Sequence, residues 1–209
     1  MARIALFALG LVLCFGCGSP APEPRAVPPR PPPVAPSFAA ELADGGWAEV
    51  ESPRQSLAVR LPQRDAWRTD DAQPWFLARH PATESLLRLR TWLAPRLVRP
   101  EECEQQARLW LPAIPPTRAE AVVRRPLRAP EGFSGEVVVG VEPGHEGLEG
   151  HALAFGADVG RCYAAVFTTH ASGSGSEDVL GRRLVLIVEG VLERVRRHTI
   201  EDRVETTPR

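Results

Sequence analysis

The proline tract at residues 20–36, PAPEPRAVPPRPPPVAP, limits what the rest of this chain can fold into: nine of its seventeen residues are proline. Proline fixes φ and has no backbone N–H, so the tract can neither continue a helix nor enter a sheet interior. It favours extended polyproline II, rising about 3.1 Å per residue, and reads as a spacer of roughly 50 Å. Pro28-Pro29-Arg30-Pro31 also fits a PxxP ligand, but the composition favours a spacer. Folding is then confined to residues 37–209, 173 in number, a size that supports one domain with a real core. No repeat and no second linker divides that stretch.

Composition narrows the chemistry. Lysine and asparagine are absent, and all 25 basic residues are arginine. Lysine-based Schiff-base or nucleophilic catalysis is therefore excluded. Acids number 26 and are interspersed with the arginines, giving a net charge of −1. Nucleic-acid binding calls for a concentrated basic face, so it is not expected.

The N-terminus carries an export pattern. Arg3 precedes the uncharged run from Ile4 to Phe15, twelve residues long. A spanning helix needs about 20 apolar residues, so this run fits a signal-peptide core instead. It ends in Leu13-Cys14-Phe15-Gly16-Cys17-Gly18, which resembles the lipobox of bacterial lipoproteins. The resemblance implies cleavage after Gly16 and diacyl or triacyl modification of Cys17. Two or more chains give stable anchoring where one does not. Cys14 stands where that family prefers leucine. Gly18, in place of an acidic residue, implies the periplasmic face of the outer membrane rather than the inner membrane. The organisation expected is a signal peptide at 1–16, a lipidated cysteine and tether at 17–36, and one domain at 37–209 with a flexible C-terminal tail. The partners that follow are a membrane, through the lipid, and envelope proteins.

Two cysteines remain, Cys103 and Cys162. Export into an oxidising compartment makes a disulfide the natural reading, with two separate buried thiols as the alternative. A redox role would need neighbouring cysteines such as C-x-x-C, and the chain has none.

Alternating patterns predict strands. Trp47–Glu51 and Gln55–Leu61 read as a hairpin, and Trp75–His80 pairs with Leu86–Leu93. In the latter strand Leu87, Leu89, Thr91 and Leu93 share one face and Arg88 and Arg90 the other. That predicts one covered sheet face and one partly wet one. Pro100-Glu101-Glu102 opens a helix whose stripe is Cys103, Ala107, Trp110 and Leu111, ended by Pro112. A short strand near 121–123 and a meander over 134–141, 148–155 and 161–169 follow. A long helix from Glu177 to about Arg197 closes the domain, with Ser176 as N-cap. Its buried stripe is Leu180, Leu184, Ile187, Val188, Val191 and Val195. The order predicts an α+β fold, an antiparallel sheet packed against a middle helix and a long C-terminal helix. An opening hairpin ending at Leu61-Pro62, a meander and a returning C-terminal helix resemble the PsbP-like fold over residues 47–198. That resemblance implies a non-enzymatic assembly or binding role.

No stretch carries a catalytic motif. G-x-S-x-G is missing. His145 and His151, with Glu146 or Glu149, invite a metal reading, but they lie six apart and Gly147 and Gly150 break helix, so a hairpin turn is expected. Ser172–Ser176 resembles a phosphate loop, yet Glu177 and Asp178 occupy the helix end that an anion would need. Trp92 shares a face with Arg88 and Arg90 and is the tryptophan most suited to a surface role. The expectation is a membrane-anchored, non-catalytic binding protein with no catalytic residue, metal or cofactor. An envelope hydrolase is the alternative, and it requires a deep pocket of titratable groups.

Overall fold

A computed structural model describes residues 46–94, 96–115 and 123–198. The signal peptide, Cys17, the tether, residues 121–122 and the C-terminal tail expected from sequence lie outside the described residues.

The elements, in order, are β1 (Ala48–Ser52), β2 (Leu57–Leu61), β3 (Arg68–Asp70), β4 (Phe76–His80), β5 (Ser85–Leu93) and α1 (Pro100–Trp110). They continue with β6 (Val123–Pro126), β7 (Ser134–Pro143), β8 (Leu148–Asp158), β9 (Arg161–Ala171), α2 (Ser176–Leu186) and β10 (Arg196–Arg197). Seven strands form an antiparallel sheet in the order β3-β4-β5-β9-β8-β7-β6, and β1-β2-β10 form a smaller one. The fold is α+β.

The two faces of the large sheet differ. One face meets the β1–β2 hairpin and α2. Phe76, Leu87, Leu89, Val137, Ala152, Ala154 and Phe167 pack there against Leu57, Val59, Leu61 and the C-terminal helical segment. Alanines on β8 and Gly150 let α2 approach closely, since a Cβ at Gly150 would already touch Leu184 and Leu180 at 3.2 and 3.3 Å. The hairpin turn is tied down by buried Gln55. Its Oε1 accepts the Thr91 N–H at 2.9 Å, and its Nε2 donates to Pro74 O at 2.9 Å.

On the other face α1 lies over β8 and β9, where Ala107 packs with Leu153, Phe155, Ala164 and Val166. The expected wet face is therefore covered at its centre. It stays partly open over β4 and β5, where Arg88 and Arg90 are half-buried, and over β6 and β7, where Arg124 and Glu136 are exposed. Leu93 departs from the expected buried row and is 77 % exposed, because β5 ends there.

The C-terminal helical segment runs from Ser176 to Arg194, but its winding changes. After Leu186 the chain makes a π turn over Ile187–Val191 and a 3₁₀ turn over Leu192–Arg194. All six expected stripe residues are buried. β-Branched residues and Gly190 weaken the α geometry here, and the wider turn keeps the stripe facing the core. Gly190 is also required by contact, since a Cβ there would lie 2.5 Å from the Trp47 ring. The helix was expected to reach about Arg197. Instead, Arg196 and Arg197 pair with Ala58 and Leu57 and close the small sheet. The N-cap is Gly175 in a left-handed conformation rather than Ser176, which is the first helical residue.

Tyr163, the single tyrosine, is fully buried beside Phe133, and its hydroxyl has no hydrogen-bond partner among the described residues. Burial pushes its pKa far above the ordinary value. An unfolded chain releases this proton near pH 10 and the folded chain does not, so stability is intact below about pH 10 and falls above it. Tyrosinate absorbance is expected to appear only together with the loss of far-UV circular dichroism. Ionisation in a chain that keeps its native dichroism would contradict this burial.

Candidate functional site

The edge of α1 and the end of β5 enclose an open groove of about 660 Å³. That volume is within the range of small-molecule sites, roughly 300–1,000 Å³. Its polar end is built on β5. Strand alternation places Arg88, Arg90 and Trp92 on the α1 side. Arg90 lies 3.7 Å from the ring centre of Trp110 and 5.9 Å from that of Trp75. Trp92 meets Trp110 edge to face, with ring centres 5.0 Å apart. Contacts of an arginine with an indole face are worth about 0.5–2 kcal/mol, more where water is excluded. Burial lowers the Arg90 pKa from its ordinary value.

The apolar end is made by the β5–α1 connection and the outer side of α1. Leu93 and Leu109, both in the lining, are 77 % and 75 % exposed. The carboxylate in the lining, Glu102, is engaged: its Oε1 lies 3.6 Å from Arg96 and its Oε2 accepts the Arg99 N–H at 3.3 Å. The floor is fixed by a disulfide between Cys103 on α1 and Cys162 on β9, across 59 positions of sequence. Trp110 was expected on the buried stripe of the helix. It sits instead at the last turn, 38 % exposed, where it walls the groove. The sequence pointed to Trp92, Arg88 and Arg90. It did not point to Trp75, Trp110 or the leucines, which come together only when α1 folds back over the sheet.

A second, smaller pocket of about 180 Å³ lies at the opposite end of the same face. Glu149 is paired in register with His170, and His151 with Thr168. His170 Nδ1 lies 3.4 Å from Glu84 Oε2. His145 is exposed in the β7–β8 turn, whereas His151 is buried inside β8, so the pair singled out by sequence is not brought to one point. Among the described residues, no group of three or more His, Cys, Asp or Glu side chains could hold a metal ion. The Ser172–Ser176 loop leads into α2 and puts Glu177 and Asp178 in its first turn.

Beneath this pocket a buried polar network joins sheet to helix. Ser85 Oγ lies 2.8 Å from both Thr83 Oγ1 and Thr169 Oγ1, and Thr83 Oγ1 lies 2.8 Å from His80 Nδ1. Arg183 of α2, 1 % exposed, donates to Thr169 Oγ1 at 3.1 Å and to His170 O at 2.6 Å. These groups hold one another out of water, which is a structural task.

No family model matches the chain, and no curated protein matches it. The solved structures that are similar include two. One is from Bacteroides thetaiotaomicron VPI-5482, with 12 % identity over 73 % of this chain and 49 % of that one, at a TM-score of 0.42. The chain thus spans about half the length of that structure. The other is LpqN of Mycobacterium tuberculosis, described as involved in cell envelope biogenesis. It has 16 % identity over 78 % of this chain and 98 % of that one, also at a TM-score of 0.42. Likeness at this level assigns neither a fold family nor a function.

Thr169→Val is expected to lower the unfolding free energy by about 1–3 kcal/mol, because buried Ser85 and Arg183 each lose a partner. Urea unfolding would measure it. A change below about 0.5 kcal/mol would show that the network is not holding α2.

Proposed function

We propose that this chain is a lipid-anchored protein of the bacterial cell envelope whose folded unit works by binding rather than by catalysis. The groove between α1 and β5 is its contact surface. The observation that carries the reading is the stack of Arg90 on Trp110 beside leucines left in water. Tryptophan and arginine are the residues that most often anchor binding surfaces. A run of exposed large apolar side chains marks a contact site when it is rimmed by charge.

The anchor comes from sequence. The lipobox resemblance assigns acylation to Cys17, and Gly18 fits delivery to the outer membrane. The proline tether then holds the groove up to roughly 50 Å from the bilayer. Envelope components within that reach are the partners, and nucleic acid is not among them.

Two experiments test this. An alkyne fatty acid supplied to cells should label the protein, and Cys17→Ala should abolish the label. A photoreactive residue replacing Leu109 should give a discrete adduct in intact cells, and the same residue replacing Arg182, exposed on α2, should not. Equal labelling from both positions, or none from Leu109, would overturn the assignment of the groove.

A further inference from the structure

The open wing beside the groove carries more positive charge than its surroundings neutralise. Arg68 is paired in register with Arg79, Leu77 with Arg88, and Arg90 follows Arg88 along β5. Strand alternation puts all four guanidinium groups on the side that α1 leaves uncovered. None of the four forms an ion pair with a carboxylate among the described residues. Asp70 stands on the same face but two strands away from Arg88, across Leu77, and its Oδ1 accepts the Ala72 N–H at 2.8 Å.

We infer that the site takes an anionic amphiphile, a single phosphate-bearing lipid whose headgroup sits on Arg79, Arg88 and Arg90 and whose chain lies in the groove along Trp110, Leu109 and Leu93. This rests on the reading of the groove as the contact surface and adds its ligand class.

Three features support it. First, charge: cations close together and partly removed from water repel one another, and an anion between them removes that cost. Burial first, and the like charge of Arg79 second, push the Arg88 pKa down, which marks the cation as strained where it stands. Second, chemistry: arginine forks match phosphate oxygens in bidentate geometry. Third, order: charge passes to aromatic and then aliphatic surface, from Arg88 through Arg90 and Trp110 to Leu109 and Leu93. A bare inorganic anion would leave the leucines in water, and an uncharged chain would leave the arginines unpaired. One molecule bearing both ends satisfies both.

The test uses the full chain, anchored in phosphatidylcholine nanodiscs and titrated with dihexanoyl phosphatidic acid while tryptophan emission is read. Dihexanoyl phosphatidylcholine and inorganic phosphate serve as comparators. Saturable binding of the phosphatidic acid is expected. Arg88→Gln should weaken it at least about tenfold, the cost of losing a charged hydrogen-bond partner. Leu109→Ser should weaken it too, leaving the weak binding of inorganic phosphate unchanged. Arg79→Gln is exposed and keeps the test valid if Arg88→Gln fails to fold, as judged by thermal unfolding. Inorganic phosphate binding as tightly as the lipid, or phosphatidic acid affinity unmoved by both arginine changes, would overturn the inference. Equal binding of phosphatidylcholine, lost in Leu109→Ser, would also overturn it while leaving the groove as the contact surface.

Discussion

The placement of α1 on the large sheet decides the rest of the exposed chemistry. An eleven-residue helix is too short to be stable alone. It buries few residues fully, Cys103 and Ala107, both small. Small side chains bring the helix close to Leu153, Phe155 and Val166, but they remove little apolar area from water. The Cys103–Cys162 bond supplies what packing does not. It closes a loop of about 60 residues, for which the chain-entropy account gives roughly 4 kcal/mol. Fixed there, α1 covers β8 and β9 and stops short of β4 and β5. The uncovered strip is where the arginines can stay solvated and where Trp110, at the helix end, meets Arg90.

The opposite face follows another logic. It is apolar through its middle from β4 to β7, carries the Ser85–Thr169–Arg183 network at one end, and is sealed by the hairpin and the C-terminal segment. The π turn, the contact of Trp47 on Gly190 and the pairing of β10 with β2 are parts of one closure. The segment must stay helical long enough to bury Val191, then straighten at Val195 to reach the hairpin edge. A face so completely occupied offers little to a ligand. The molecule therefore has one structural face and one divided between packing and exposure.

Much of this was legible in the sequence, for a physical reason. Alternation in β5 and a 3.6-residue stripe in the C-terminal segment are local patterns, and both elements formed with the expected residues inside, apart from Leu93 at the end of β5. What stayed hidden depends on partners far along the chain. Arg196 and Arg197 look helical until the edge of β2 is there to pair with them. Trp110 reads as a core residue until Arg90, twenty positions earlier, is placed beneath it. Arg88 and Arg90 pointed to the face that carries the groove because arginines alternating with leucines declare which side is wet. Trp75, Leu93 and Leu109 carried no such sign, since an isolated apolar residue looks the same in a core and in a groove. His145 lies in the β7–β8 turn and His151 inside β8, the hairpin that Gly147 and Gly150 led one to expect.

A thinly packed helix is thus held to the sheet by one covalent bond, and the groove exists because that helix is held. Hydrogen–deuterium exchange on the full chain tests this most directly, comparing wild type with the Cys103→Ser/Cys162→Ser double variant. The prediction is faster exchange across the α1 amides, with β8 and β9 still protected. Unchanged protection of α1, or equal loss throughout helix and sheet, would contradict it.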